Sequence, residues 1–158
     1  MTEYILALAA TIIVAALSRE ALYTACVVAF GFILNEGFCR ITGIYDCWPW
    51  FTFTDGLSVL VLVFRNRWLP DFGKIGAAVA AIFCTQIVIH WAYWLSGGTD
   101  ADVYWQTLTS MAFVQLAIIA LGGVSGGGRL YHWMRRIWPV STVRHPVHRR
   151  QAERGDGE

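Results

Sequence analysis

The stretch FGFILNEGFCRITGIYDCWPWFTFTDGLSVLVLVFRN, residues 30–66, places polar and ionisable side chains inside two strongly apolar runs. These side chains are Asn35, Glu36, Arg40 and Asp55. An ionisable group at the centre of a lipid-embedded helix costs roughly 2.5 to 3.5 kcal/mol, so each of them needs a partner, water or a change of protonation. We therefore predict that the functional site lies in this stretch.

The composition is that of a membrane protein. Of the 158 residues, 56% are hydrophobic and only 15% are charged, which is too apolar for an ordinary soluble domain. The aromatic residues are concentrated near the ends of the apolar runs, where amphipathic rings settle at the level of the lipid headgroups. These features predict an integral membrane protein in direct contact with lipid.

Five apolar segments are considered as membrane spans, and the first is the weakest by length, since about 17 to 25 residues cross a bilayer. The sequence therefore predicts an all-α polytopic transmembrane helical bundle. In an alternative with four spans, the first segment lies in the interface. The five predicted spans are about 4–17, 21–38, 50–64, 75–95 and 104–124.

The basic residues predict the orientation of the bundle. Arg19, Arg65, Arg67 and Lys74 fall in connections on one side, together with all seven arginines after residue 128, and only Arg40 falls on the other. Because positive charge accumulates on the cytoplasmic side, the N-terminus is expected outside and the C-terminus in the cytoplasm. The expected location is a bacterial inner membrane.

The last span runs into GGVSGGG, residues 122–128, which we interpret as a helix stop and flexible hinge. It divides the chain into a transmembrane domain, 1–128, and a cytoplasmic part, 129–158. After it, a short amphipathic helix is predicted to lie in the lipid interface through Trp133, Arg135 and Arg136, followed by a disordered basic tail.

Three titratable residues fall at one depth. At 1.5 Å rise per residue, Glu36, Asp55 and His90 all lie roughly 5 to 10 Å below the predicted outer surface. Two carboxylates and an imidazole facing one another would form a layer that accepts protons or attracts cations. Gln86 and Gln115 are expected to continue this polar layer inward.

Each of these residues also has a purely structural interpretation. Glu36 and Arg40 have the favourable i, i+4 order of an intrahelical ion pair. Asp55 is placed to cap a helix that begins later than predicted above. His90 is placed to bind a backbone carbonyl at the interface. The two interpretations remain open at this point.

The cysteines and the basic tail indicate no metal, cofactor or nucleic acid. Cys39 and Cys47 fall in one outer connection, where an oxidising compartment permits a disulfide between them. Cys26 and Cys84 fall in spans and are expected to pack as small apolar residues. No spacing typical of a zinc or iron–sulfur site occurs, and no nucleic-acid reading module accompanies the arginines.

Two functions remain open, and an enzyme is not expected because no nucleophile–base pair or metal-ligand set is evident. The favoured one is permeation by a homo-oligomer that packs through small-residue faces such as Ala77 with Ala81, with the polar layer lining a wet path. In size, density of spans and charged tail the chain resembles phage holins, which have fewer spans. The alternative is an accessory membrane subunit, such as an immunity or assembly factor, whose polar residues pair with other membrane helices.

Overall fold

The structure is a computed structural model that describes residues 2–44, 47–68 and 74–137, with side chains for 2–44, 47–65 and 74–126. Within these ranges the secondary structure is entirely helical, which confirms the predicted all-α class. The helices are α1 Thr2–Ala15, α2 Arg19–Thr42, α3 Trp48–Trp68, α4 Lys74–Leu95 and α5 Ala101–Ile137.

In the part of the chain that the structure describes, three helices are long and apolar enough to cross a membrane: α2, α4 and the Ala101–Gly126 part of α5. Such helices indicate an integral membrane protein. The helix α1 is apolar but has only 14 residues, and α3 has 21 residues that include Asp55 and Arg65. Spans at α1 and α3 therefore stay predictions, as does the orientation.

The burial pattern agrees with a lipid environment. Large apolar side chains face outward, with Ile13 73% and Leu121 70% exposed, whereas His90 and Gln115 are each only 2% exposed. In water this arrangement would be unfavourable, because it exposes apolar surface and removes polar groups from solvent. In lipid it is favourable, since polar groups have to find their partners inside the bundle.

An apolar core fills one half of the bundle. Leu62 of α3, Val79 of α4 and Ile119 of α5 are at most 2% exposed and belong to a cluster shared by all five helices. Leu62 lies two turns after Asp55, at about 10 Å along the helix. The core therefore fills the bundle between Asp55 and the predicted cytoplasmic end.

The helix α2 is capped at both ends and also caps α4. Ser18 accepts a hydrogen bond from Ala21 N at the start of α2, and Gly43 (φ 69°) ends it with its N–H donating to Cys39 O. The Glu20 carboxylate accepts a hydrogen bond from Ile75 N at 2.9 Å, at the N-terminus of α4. This contact places a negative charge at the positive end of a helix dipole and ties the two helices together.

The predicted helix stop at residues 122–128 is wrong, because α5 continues without a break from Ala101 to Ile137. The glycines instead allow close packing. A Cβ at Gly123 would lie 2.6 Å from Val14 O, and one at Gly126 would lie 2.5 Å from Ser18 Cβ. Both glycines therefore bring α5 against the end of α1 and the connection to α2, as small residues do between membrane helices.

Two predicted regions lie outside what the structure describes. The side chains of Trp133, Arg135 and Arg136 are beyond the described side chains, although their backbone continues α5. The predicted disordered tail, residues 141–158, is outside the described residues. The lipid contacts and the division of the chain at residue 128 stay predictions.

We expect Gly123→Ala to destabilise the protein by about 1 to 3 kcal/mol, because the new methyl group meets a backbone carbonyl that cannot move aside. The matched control is Gly37→Ala, since a Cβ at Gly37 meets nothing within 4 Å and the residue is also helical. Thermal unfolding in detergent measures both. Equal stability of the two variants would contradict the packing role of Gly123.

Candidate functional site

The candidate site is a cavity of about 500 Å³ at one end of the bundle. Its wall is formed by the beginnings of α1, α3 and α5 and by the ends of α2 and α4, which meet because successive helices run in opposite directions. This is the end predicted to face outward. The lining residues are Tyr4, Phe32, Asn35, Glu36, Cys39, Phe51, Asp55, Gln86, His90, Trp105, Leu108 and Thr109.

Three buried polar side chains form a hydrogen-bonded chain that begins on this wall with Asp55 and His90 and continues behind it to Tyr104. His90 Nε2 lies 3.1 Å from Asp55 Oδ2, and His90 Nδ1 lies 2.7 Å from the Tyr104 hydroxyl. The three residues come from α4, α3 and α5, and they are 2%, 7% and 4% exposed. The chain therefore joins three helices through a titratable group in the protein interior.

This geometry accommodates two protonation states. With Asp55 ionised and His90 neutral, His90 Nε2–H donates to Asp55, and the Tyr104 hydroxyl donates to His90 Nδ1. With His90 protonated, both ring nitrogens donate, and the Tyr104 oxygen becomes the acceptor. A proton can therefore be held or released at His90 while both heavy-atom contacts are kept.

Asp55 lies inside α3 and does not cap it. The helix begins at Trp48, two turns before Asp55, so the interpretation as a helix cap is wrong. The interpretation of His90 as a residue bound to a backbone carbonyl is also wrong, since its two contacts are side chains. The neighbouring Thr54 Oγ1 lies 2.7 Å from Asn35 Oδ1 and so links α3 to α2.

Glu36 lies in the same cavity but has a different partner. Arg40 Nε donates to Glu36 Oε1 at 2.7 Å, one turn along α2. The Glu36 side chain is 20% exposed and that of Arg40 is 68% exposed, so the pair lies at the rim. The structure thus places the three predicted titratable residues in one cavity but joins only Asp55 and His90 by a direct contact.

Of the two glutamines, one lies on the cavity wall and the other is bound to it behind the wall. Gln115 Nε2 donates to Gln86 Oε1 at 3.2 Å, and both side chains are buried. Only Gln86 is part of the cavity wall. One turn further along α5, Ile119 belongs to the apolar core, so the polar layer ends at this pair.

The predicted disulfide is absent, since Cys39 and Cys47 are both free thiols. Cys39 is buried and lies on the cavity wall. Within the described residues, no three His, Cys, Asp or Glu side chains are grouped so that they could hold a metal ion.

Sequence reasoning missed Tyr104, which completes the chain of polar groups. The residue marked the start of the fifth predicted span, where aromatic rings are expected at the lipid interface. Its depth matches that of His90, but depth does not show which face of α5 turns inward. Tyr93 stacks on Tyr104 with ring centroids 4.1 Å apart.

Comparison with known proteins assigns no family. Protein-family models, curated protein sequences and solved structures all give no match to this chain. The chemistry of the cavity is therefore the basis on which function is inferred.

Proposed function

We propose that this integral membrane protein binds a small solute in a pocket open to one side of the membrane, and that Asp55 and His90 exchange a proton there. The observation that carries the proposal is the contact between Asp55 and His90 on the wall of a cavity of about 500 Å³, with Tyr104 bound to His90 behind that wall. Cavities of about 300 to 1,000 Å³ bury most of a small ligand. A mostly apolar wall with a small number of polar groups is typical of ligand sites in general.

The burial of the two ionisable groups supports a functional role. Asp55 and His90 are both more than nine-tenths buried, in a bundle whose outer surface is apolar. Ionisable side chains at such places are costly and are typical of proton relays and solute pathways. A carboxylate, an imidazole and a phenol in hydrogen-bond contact are also groups between which a proton can pass.

The same geometry gives less support to permeation. Below the cavity lie the hydrogen bond between Gln86 and Gln115 and then an apolar core of large side chains. Conduction needs a polar or wet route from one side of the membrane to the other. In the described residues an apolar core lies between the cavity and the opposite end of the bundle. Permeation would therefore need an assembly of several copies, to which Ala77 and Ala81, both exposed on α4, are suited as a small-residue face.

The second candidate is an accessory subunit whose polar residues only fix the pairing of helices. It is favoured by two contacts between helices, Asn35 with Thr54 and Gln86 with Gln115. Hydrogen bonds of this kind specify which helices pair in lipid. This function requires no water in the cavity, whereas a solute-binding pocket does.

We expect a cysteine at Thr109, on the cavity wall, to react with a membrane-impermeant maleimide added to intact cells. The four native cysteines are first replaced by alanine. Maleimides need the thiolate, which forms in water and not in lipid. Two controls on the same helix are Val114→Cys, which is 51% exposed on the lipid-facing surface, and Ser125→Cys near the opposite end.

Labelling at position 109, with none at 114 and with labelling at 125 only after permeabilisation, would support a wet pocket that is open outward. An unreactive thiol at position 109 on both sides of the membrane would overturn the proposal and favour the accessory function. Labelling at 109 only from the cytoplasmic side would overturn the predicted orientation.

Expression at high level should leave the membrane potential and dye entry of the host cells unchanged, because an apolar core separates the pocket from the opposite end of the bundle. The two quantities are measured with a potential-sensitive dye and a DNA stain. A collapse of potential that Asp55→Asn or Glu36→Gln weakens would contradict the one-sided pocket and establish permeation instead.

A further inference from the structure

The cavity carries information on the class of solute, and the inference drawn from it depends on the proposed function above. We propose that the pocket binds an organic cation, an amine attached to an apolar body, and that this cation and the proton at the Asp55–His90 pair exclude each other. The proposal follows from the charge of the wall, from an unused acceptor atom and from the aromatic residues around it.

The first observation is the charge of the cavity wall. Glu36 is neutralised by Arg40 at 2.7 Å. Asp55 has only His90 as a titratable partner, and when that ring is neutral the wall keeps one negative charge. No Lys or Arg side chain is among the lining residues, so the wall favours a cation over an anion.

The second observation is an acceptor without a donor. His90 contacts Asp55 Oδ2, whereas no described residue donates a hydrogen bond to Asp55 Oδ1. Asp55 is 7% exposed and lies on the cavity wall. A carboxylate oxygen that borders the cavity can accept a hydrogen bond from a solute there, and an ammonium N–H would be a charge-assisted donor.

The third observation is the chemistry of the remaining wall. Tyr4, Phe32, Phe51 and Trp105 contribute aromatic rings. Such rings attract cations through their faces and also accommodate apolar groups. A hard metal ion would instead require about six oxygen ligands, which two carboxylates, one of them held by Arg40, do not provide.

Competition with a proton follows from the position of His90. Protonation of the ring turns Asp55 and His90 into a neutral pair and places a positive charge beside the unused Asp55 oxygen. Either the proton or the organic cation can then neutralise Asp55. Besides the chain of Asp55, His90 and Tyr104, the described titratable groups that face the cavity or this chain are Glu36 and Cys39 on α2, Tyr4 on α1 and Tyr93 on α4.

The test uses the full chain in lipid nanodiscs and three probes of nearly the same shape: phenethylamine, 2-phenylethanol and phenylacetate. Calorimetry, with empty nanodiscs as the blank, should show binding of the amine at least about tenfold tighter than the alcohol, and none of the carboxylate. The amine stays charged between pH 8 and pH 5. If one proton competes with it for the pocket, lowering the pH should weaken its binding by at most about tenfold per pH unit.

Two variants connect this result to Asp55. Asp55→Asn should lower amine affinity at least about tenfold, whereas Asp102→Asn, which removes an exposed carboxylate at the start of α5, should leave it unchanged. Helical circular dichroism and elution volume show whether each variant is folded, and the comparison of probes on the unmodified protein needs no variant.

Equal binding of amine and alcohol, or tighter binding of the carboxylate, would overturn the cationic solute. Amine binding that does not change with pH would overturn the competition with the proton. Either result together with a reactive cysteine at position 109 leaves the one-sided pocket standing, whereas an unreactive cysteine at that position removes the pocket itself.

Discussion

Hydrocarbon offers no hydrogen bonds, and this constraint decides where the polar side chains of the bundle lie. His90, Asp55 and Tyr104 are each less than one-tenth exposed, and each finds its partner on a different helix. A polar group left alone in lipid costs several kcal/mol, so these contacts hold the ends of α3, α4 and α5 in one arrangement.

Much of this arrangement follows from the sequence, and the part that does not has a physical reason. The apolar runs predicted where the helices lie, and the rise per residue placed Glu36, Asp55 and His90 at one depth. The Arg40 partner of Glu36 was predictable because it lies one turn away on the same helix. Tyr104 was not, because its contact with His90 depends on the rotation of α5 about its axis, which packing determines.

At the glycine run, residues 122–128, the sequence predicted a helix stop that the structure does not have. Glycine has a low helix propensity and high backbone freedom, so a run of it after an apolar segment predicts a hinge. In lipid, however, a helix keeps its backbone hydrogen bonds internal, and the absence of a side chain becomes a packing advantage. At Gly123 the space that a Cβ would occupy is taken by Val14 O, so the partner helix α1, which local sequence does not reveal, decides the outcome.

Two points along α5, at Tyr104 and at Gly123, are held by different kinds of contact. Near Gly123 the helix is fixed by close approach to α1, a contact that does not depend on charge. At Tyr104 it is fixed through a hydrogen bond to His90, whose donor and acceptor roles change with the protonation of the ring. The distance between these points is about 28 Å along an unbroken helix. Because the contacts of His90 suit either protonation state, a change in protonation reverses the donor and acceptor roles at Tyr104 and leaves the packing near Gly123 as it is.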